Sequence, residues 1–155
     1  MALPTSIELN IVTPDRGVVR EQVDEVEIPG AQGYFGVLPG HTPMLASLAV
    51  GEMWYRKGQE RTYLSLAGGF CEVLPDRVTI LAQLAERAED IDIGRAEEAK
   101  KRAEARLAQA KDVDYERARL ALQKAISRIQ VSSRAEFAGR VRHRRMPPQI
   151  GRAHV

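Results

Sequence analysis

The sequence is short of aromatic residues. Phe, Trp and Tyr make up 5% of 155 residues, so a core has to be built mainly from Val, Leu, Ile and Ala. Its one cysteine, Cys71, excludes an internal disulfide and a thiolate zinc site. No apolar run approaches the ~18 residues that suggest a membrane-spanning helix. The segment Met1-Ala2-Leu3-Pro4-Thr5-Ser6 lacks the basic and apolar regions of a secretory signal. The expectation is a cytosolic protein with no direct membrane insertion, held at a membrane only through a partner. Catalytic signatures are missing as well. No Gly-x-x-x-x-Gly-Lys-Ser/Thr loop occurs, and the spacing of Gly30, Gly33 and Gly36 is not that of a dinucleotide fingerprint. His41, His143 and His154 are scattered and have no metal-ligand spacing to one another or to Cys71. Cys71 itself, beside Phe70, reads as an inert core residue. Neither a metal site nor catalysis by this chain alone is expected.

What is present is 44% hydrophobic and 28% charged, the profile of a soluble globular protein, and its period changes near Glu86. Before it, the pattern is strand-like. Ile7, Leu9 and Ile11 alternate with Glu8 and Asn10. Pro14-Asp15-Arg16-Gly17 is a turn. Val23, Val26 and Ile28 suggest one further strand, ended by Pro29-Gly30. Residues 53–56 and 62–66 read as a hairpin around Gly58, and residues 70–74 and 78–84 as a second around Pro75-Asp76. Short strands at this spacing predict a β-sandwich or barrel. After Glu86, Ala96, Ala99, Ala103, Leu107 and Ala110 fall at helical spacing, as do Tyr115, Ala118, Leu122, Ala125 and Ile129. The polar break at residues 111–114 predicts two antiparallel helices, with Asp112 or Asp114 as a cap for the second. Their facing residues are mostly alanine. Each buried CH₂ is worth about 0.8 kcal/mol, so the seam is shallow. A hairpin able to leave its resting place and a permanently docked one both fit that pattern.

The net charge of +2 conceals an asymmetry. Residues 1–85 carry six cations against ten carboxylates, and residues 86–116 carry seven against ten. Residues 117–155 carry ten cations and one carboxylate, Glu136. A basic arm of this kind seeks an acidic protein surface, an anionic membrane or nucleic acid, or else is a solvated face. Nucleic acid is disfavoured, because the arm has no stacking platform. Within the helices, Asp92, Arg95, Ala99, Arg102 and Arg106 share one face, as do Arg117, Ala121, Lys124 and Arg128. Facing each other, these stripes would gather cations suited to phosphate oxygens. Alternatively, Asp92 caps its helix and the arginines face water.

Residues 33–45, Gly-Tyr-Phe-Gly-Val-Leu-Pro-Gly-His-Thr-Pro-Met-Leu, resemble the signature of the ε subunit family of bacterial F-type ATP synthases. Leu66-Ala67-Gly68-Gly69-Phe70-Cys71-Glu72-Val73, Val78-Thr79-Ile80-Leu81-Ala82, Ile91-Asp92-Ile93-Gly94-Arg95-Ala96 and Asp112-Val113-Asp114-Tyr115 continue the resemblance in one colinear order over about residues 5–131. The resemblance implies an N-terminal antiparallel β-sandwich (1–87), a C-terminal two-helix antiparallel hairpin (88–131) and a basic tail (132–155) beyond the usual family end. The Arg140–Arg145 cluster and Pro147-Pro148 give that tail a disordered composition.

The resemblance also implies a function. The family's ε subunit is a non-catalytic part of the rotor stalk in proton-transporting ATP synthesis, a peripheral protein on the cytoplasmic face of the bacterial membrane. Its sandwich binds the γ subunit and the c-ring, here through a rigid surface loop that includes Tyr34, Leu38 and His41. Its hairpin, when extended, resists ATP hydrolysis. Basic residues of the second helix then contact an acidic lever of the catalytic β subunits; the candidates here are Arg117, Arg119, Lys124, Arg128 and Arg134. The Ile-Asp-x-x-Arg-Ala motif is similar to one with which some members bind regulatory ATP, with or without Mg²⁺, in the compact hairpin. That similarity implies a site of Glu86, Ile91, Asp92, Arg95, Ala96, Arg102, Lys124 and Arg128. Lys124 stands where an arginine is expected and loses the bidentate fork. Gly94 replaces a better helix former at a cost of roughly 1 kcal/mol.

Overall fold

The computed structural model describes residues 3–109 and 112–145. Eight strands come first: β1 (Ile7–Val12), β2 (Gly17–Val23), β3 (Glu25–Gly30), β4 (Gly33–Val37), β5 (Met44–Ser47), β6 (Gly51–Lys57), β7 (Glu60–Leu74) and β8 (Arg77–Arg87). They join edge to edge in the order β2-β1-β8-β7-β6-β3-β4, with β5 also on β7. The sheet folds over so that β2 lies against β6, which makes the two layers of a sandwich. Residues of alternate parity point between the layers. Ile7, Leu9, Ile11, Val26, Ile28, Val37, Met53, Leu64, Leu66, Val73, Val78 and Ile80 are fully enclosed there. Burial pushes the Cys71 thiol and the Tyr55 phenol above their ordinary pKa values, so both stay neutral in the core.

Three expectations are corrected. The sheet is not wholly antiparallel, since β1 runs parallel to β8. The single strand expected at Val23, Val26 and Ile28 is two. Asp24 breaks it: its backbone N–H donates to the Arg56 carbonyl at 2.8 Å, and its carboxylate accepts from the Gly58 N–H at 2.7 Å. The chain thereby crosses from the β1 layer to the β6 layer. β3 ends at Gly30 as expected, but Pro29 and Gly30 pair with Tyr34 and Gly33 of β4, which begins three residues later. The expected surface loop is therefore strand through Val37, and only residues 38–43 remain a loop.

β7 pairs with β6 over Glu60–Leu66 and with β5 over Phe70–Val73. Between these halves Gly69 has a φ of +113°, and a Cβ there would collide with the Leu81 carbonyl. Glycine thus lets the strand bend closely over β8. The outer face before the bend is covered by helix; after it, Phe70 and Leu81 are exposed.

A single 3-10 turn, Ala88–Asp90, leads into α1 (Ile93–Gln109), and α2 (Asp112–Arg145) follows. The antiparallel pair expected from the sequence is present. Its seam is Ala96 and Ala103 of α1 with Ala118 and Ala125 of α2, all nearly fully buried, at a seven-residue spacing on each helix. Asp114 lies in the first turn of α2 rather than at its cap. α2 does not stop near residue 131, where the hairpin was expected to end; it runs on through Arg145, for roughly 51 Å in all. Ser132 and Ser133 satisfy their hydroxyls on the Ile129 and Gln130 carbonyls, and the first proline in the segment is Pro147. Residues 146–155 of the expected tail lie outside the described residues.

Candidate functional site

α2 rests on the outer face of β6 and β7 through one of its own faces. Val131 packs with Ile91 and Ala96, flanked by Tyr63, Ala88 and Ile129. Around this small apolar contact are three polar ones. Ser127 Oγ and Ser65 Oγ share a buried hydrogen bond of 2.8 Å. Arg128 meets Glu86, and Arg134 meets Glu52. Successive contacts at residues 127, 128, 131 and 134 follow helical spacing, so the docked face is one stripe.

Of the residues expected to bind nucleotide, Glu86, Ile91, Asp92, Arg95, Ala96 and Arg128 lie around the N-terminal end of α1, whereas Arg102 lies midway along it and, among the described residues, no contact brings Lys124 to that end. Asp92 caps that helix: its Oδ1 accepts from the Arg95 N–H at 3.1 Å, and its carbonyl accepts from the Ala96 N–H at 3.0 Å. The capping alternative for Asp92 therefore holds in this state. Arg128 Nε lies 2.7 Å from Glu86 Oε1, but its N–H is not aimed along that line and finds no hydrogen-bond partner. The hydrogen bond between the two runs from Nη2 to Oε2 at 3.2 Å. Ile91 and Ala96 are buried in the docking cluster, where they support the site from below.

Arg95 and Arg102 are exposed and Lys124 is half-buried; among the described residues no salt bridge holds any of them. Each immediately precedes a seam alanine: Arg95 before Ala96, Arg102 before Ala103, Lys124 before Ala125, and likewise Arg117 before Ala118. In an antiparallel pair a two-fold axis normal to both helices leaves equivalent positions on the same side. The two stripes therefore border one side of the seam instead of meeting in its middle. Arg106 and Arg117 line one open groove of about 420 Å³ at its far end.

The residues expected to touch partners fall in two places. Tyr34 and Leu38 are exposed at the β4 edge and in the loop after it. The Tyr34 hydroxyl accepts from the Glu52 N–H at 3.2 Å, and Gly51 leaves the space it needs, because a Cβ there would come within 2.6 Å of that hydroxyl. His41 Nδ1 lies 2.6 Å from the Thr42 carbonyl, while the Gly40 N–H donates to Pro75 at 2.7 Å. The loop is thus fastened to the β7–β8 turn. On α2, Arg119 is paired with Glu116 at 2.9 Å, and that carboxylate raises its pKa further. Arg134 is held by Glu52. Arg117 and Lys124 have no such ion pair among the described residues.

Comparison with known proteins follows this division. Residues 6–88 match the family model described as ATP synthase, Delta/Epsilon chain, beta-sandwich domain, and residues 89–133 match its long alpha-helix domain. The chain belongs to the ATP synthase delta/epsilon chain family. It is similar to the ATP synthase epsilon chain of Nitratidesulfovibrio vulgaris (strain DP4), with 53% identity over 84% of this chain and 98% of that one. Similarity to the epsilon chain of Syntrophobacter fumaroxidans is 51%, over 83% and 96%. In fold it resembles a chain of the Euglena gracilis mitochondrial ATP synthase, with a TM-score of 0.74 at 24% identity over 88% of this chain and 84% of that one. A chain of the Tetrahymena thermophila central stalk and c-ring gives 0.56 at 15%, over 86% and 98%; both identities limit that likeness to the fold. The epsilon chain is a structural and regulatory subunit, not itself catalytic, as the sequence resemblance implied. No described helix is long and apolar enough to cross a membrane.

Sequence reasoning missed several residues of the delta/epsilon chain's docking face. Glu52, Ser65 and Ser127 take part in two of the polar contacts of α2 and Tyr63 in the apolar one, and only the register of α2 on β6 and β7 brings them together. It also missed the exposed apolar face of Phe70 and Leu81, which sit opposite each other on β7 and β8. The break in alternation at Gly68-Gly69 was the available signal for that face.

Proposed function

We propose that this chain works as the ε subunit of a bacterial ATP synthase rotor. The sandwich holds the γ subunit and the c-ring through the face carrying Tyr34, Leu38 and His41, on the cytoplasmic side of the membrane. The hairpin is the regulatory part. Extended, it opposes ATP hydrolysis, with Arg117, Arg119, Lys124, Arg128 and Arg134 directed at acidic surfaces of the catalytic β subunits. Docked, it binds ATP and is held back.

One observation supports the nucleotide part: Arg95, Arg102 and Lys124, which have no acid partner among the described residues, border a single side of the seam, and Glu86, Arg128 and Asp92 lie at the end of it where α1 begins. Arg95, Arg102 and Lys124 suit phosphate oxygens. The Glu86 and Asp92 carboxylates suit hydroxyl or amine donors of a nucleoside. Only the paired, docked helices assemble all of these, so ATP would favour the compact form by differential affinity.

Calorimetry of the full chain tests this. ATP is expected to bind, and Arg95→Ala with Arg102→Ala to weaken it at least tenfold; titrations with Mg²⁺ and with a chelator decide whether the metal accompanies it. No heat at millimolar ATP, or equal binding by the double variant, would refute the site. Removal of residues after Ala88 is expected to leave assembly with γ intact and to relieve inhibition of hydrolysis. Persistent inhibition would refute the regulatory role.

A further inference from the structure

The outermost contact of α2 lies beyond the proposed nucleotide residues. Arg134 is almost two turns past Arg128. Its Nε lies 3.2 Å from Glu52 Oε1, and its guanidinium sits over the Tyr63 ring at 5.4 Å. The Glu52 side chain is 18% exposed and that of Arg134 is 53% exposed, so the carboxylate is largely withdrawn from water and the arginine comes to it from outside. Two carboxylates, Glu27 and Glu52, and two guanidiniums, Arg61 and Arg134, line this groove. Arg61 is stacked on Trp54 at 4.0 Å.

We propose that Glu52, Tyr63 and Arg134 form a latch that closes α2 onto the sandwich without nucleotide and must open before the helix can extend. Glu52 and Tyr63 belong to the sandwich and Arg134 to the helix, so the contact exists only in the docked state. Undocking takes the α2 cation away from both Glu52 and the Tyr63 ring, so the ion pair and the ring contact are lost together. The latch therefore adds to the docked state independently of the Arg128–Glu86 pair, which the nucleotide would engage. It also sets how tightly ATP binds, since apparent affinity scales with the fraction of chains already docked. This inference rests on the proposed reading that α2 leaves the sheet.

Pulsed electron-spin distances in the full chain test it, without nucleotide, with labels at Lys57→Cys and Gln130→Cys in a Cys71→Ala background. Arg134→Ala and Glu52→Gln are each expected to lower the docked-to-undocked ratio by about threefold to tenfold. Their combination should lower it little further, and the exchanged pair Glu52→Arg, Arg134→Glu should recover the ion-pair share of the loss but not the cation contact with Tyr63. Circular dichroism checks that helix content is retained. If neither single variant moves the ratio while Glu86→Gln does, the latch is overturned and the movable hairpin stands. If none of the three moves it, both fall.

Discussion

In the sandwich, Ile7, Leu9, Ile11, Ile28, Leu64, Leu66 and Ile80 have no exposed surface. In the hairpin, the buried seam residues are Ala96, Ala103, Ala118 and Ala125, and the apolar cluster under α2 is Val131 on Ile91 and Ala96, to which the sheet contributes only the partly buried Tyr63 among the described residues. A buried Leu or Ile side chain contributes about 1.5–3 kcal/mol, whereas each CH₂ equivalent contributes about 0.8 kcal/mol. The sheet is therefore held by its interior. The hairpin depends on polar contacts at its margin: Ser65–Ser127, Glu86–Arg128 and Glu52–Arg134. Such contacts are individually weak, and partly exposed ion pairs give about 0–1 kcal/mol. The two regions share one chain but have different grades of attachment, which suits a fixed anchor that carries a movable element.

Truncating the core should give the largest effect. Ile80→Ala is expected to cost about 2–5 kcal/mol and to lower the midpoint of the sheet's denaturation curve. A loss below 1 kcal/mol would mean that the sandwich is no better packed than the hairpin. Overfilling the seam comes next. Ala103→Leu is expected to cost about 1–3 kcal/mol, read as loss of amide protection in α1 with the sheet's protection unchanged. An equal loss in the sheet would join the two regions into one cooperative unit. The smallest effect concerns the buried hydroxyl pair. Ser127→Ala strands the Ser65 hydroxyl and should weaken docking by about 0.5–1.5 kcal/mol, while Ser65→Ala with Ser127→Ala should come close to neutral. If the double variant is the worse of the two, the pair attracts more strongly than its geometry implies.

The same contrast explains what the sequence made legible. Period-2 runs such as Ile7–Ile11 and the turns at Gly58 and Pro75-Asp76 identified the sandwich, because burial on one face writes itself into alternation. Helical spacing of Ala96, Ala99, Ala103, Leu107 and Ala110, and of Tyr115, Ala118, Leu122, Ala125 and Ile129, identified the two helices, but not that Ala96, Ala103, Ala118 and Ala125 alone would form the buried seam. The parallel β1–β8 pair was not legible, since no local pattern distinguishes a parallel neighbour from an antiparallel one. The Asp24 break was hidden because it depends on acceptors and donors at Arg56 and Gly58, more than thirty residues away. Of the candidate site, the two cationic stripes were visible from spacing. That they border one side of the seam instead of facing across it follows from which alanines are buried. The Glu52–Arg134 contact spans 82 positions, and neither residue has a local pattern that points to the other.

Hydrogen exchange of the full chain without nucleotide tests the central contrast most directly. Amides of β1, β7 and β8 should exchange only through global unfolding, and those of α1 and α2 through a separate opening of lower free energy. Added ATP should raise the second value and leave the first unchanged. A single opening free energy shared by helices and sheet would contradict an anchored sandwich with a hairpin that moves independently.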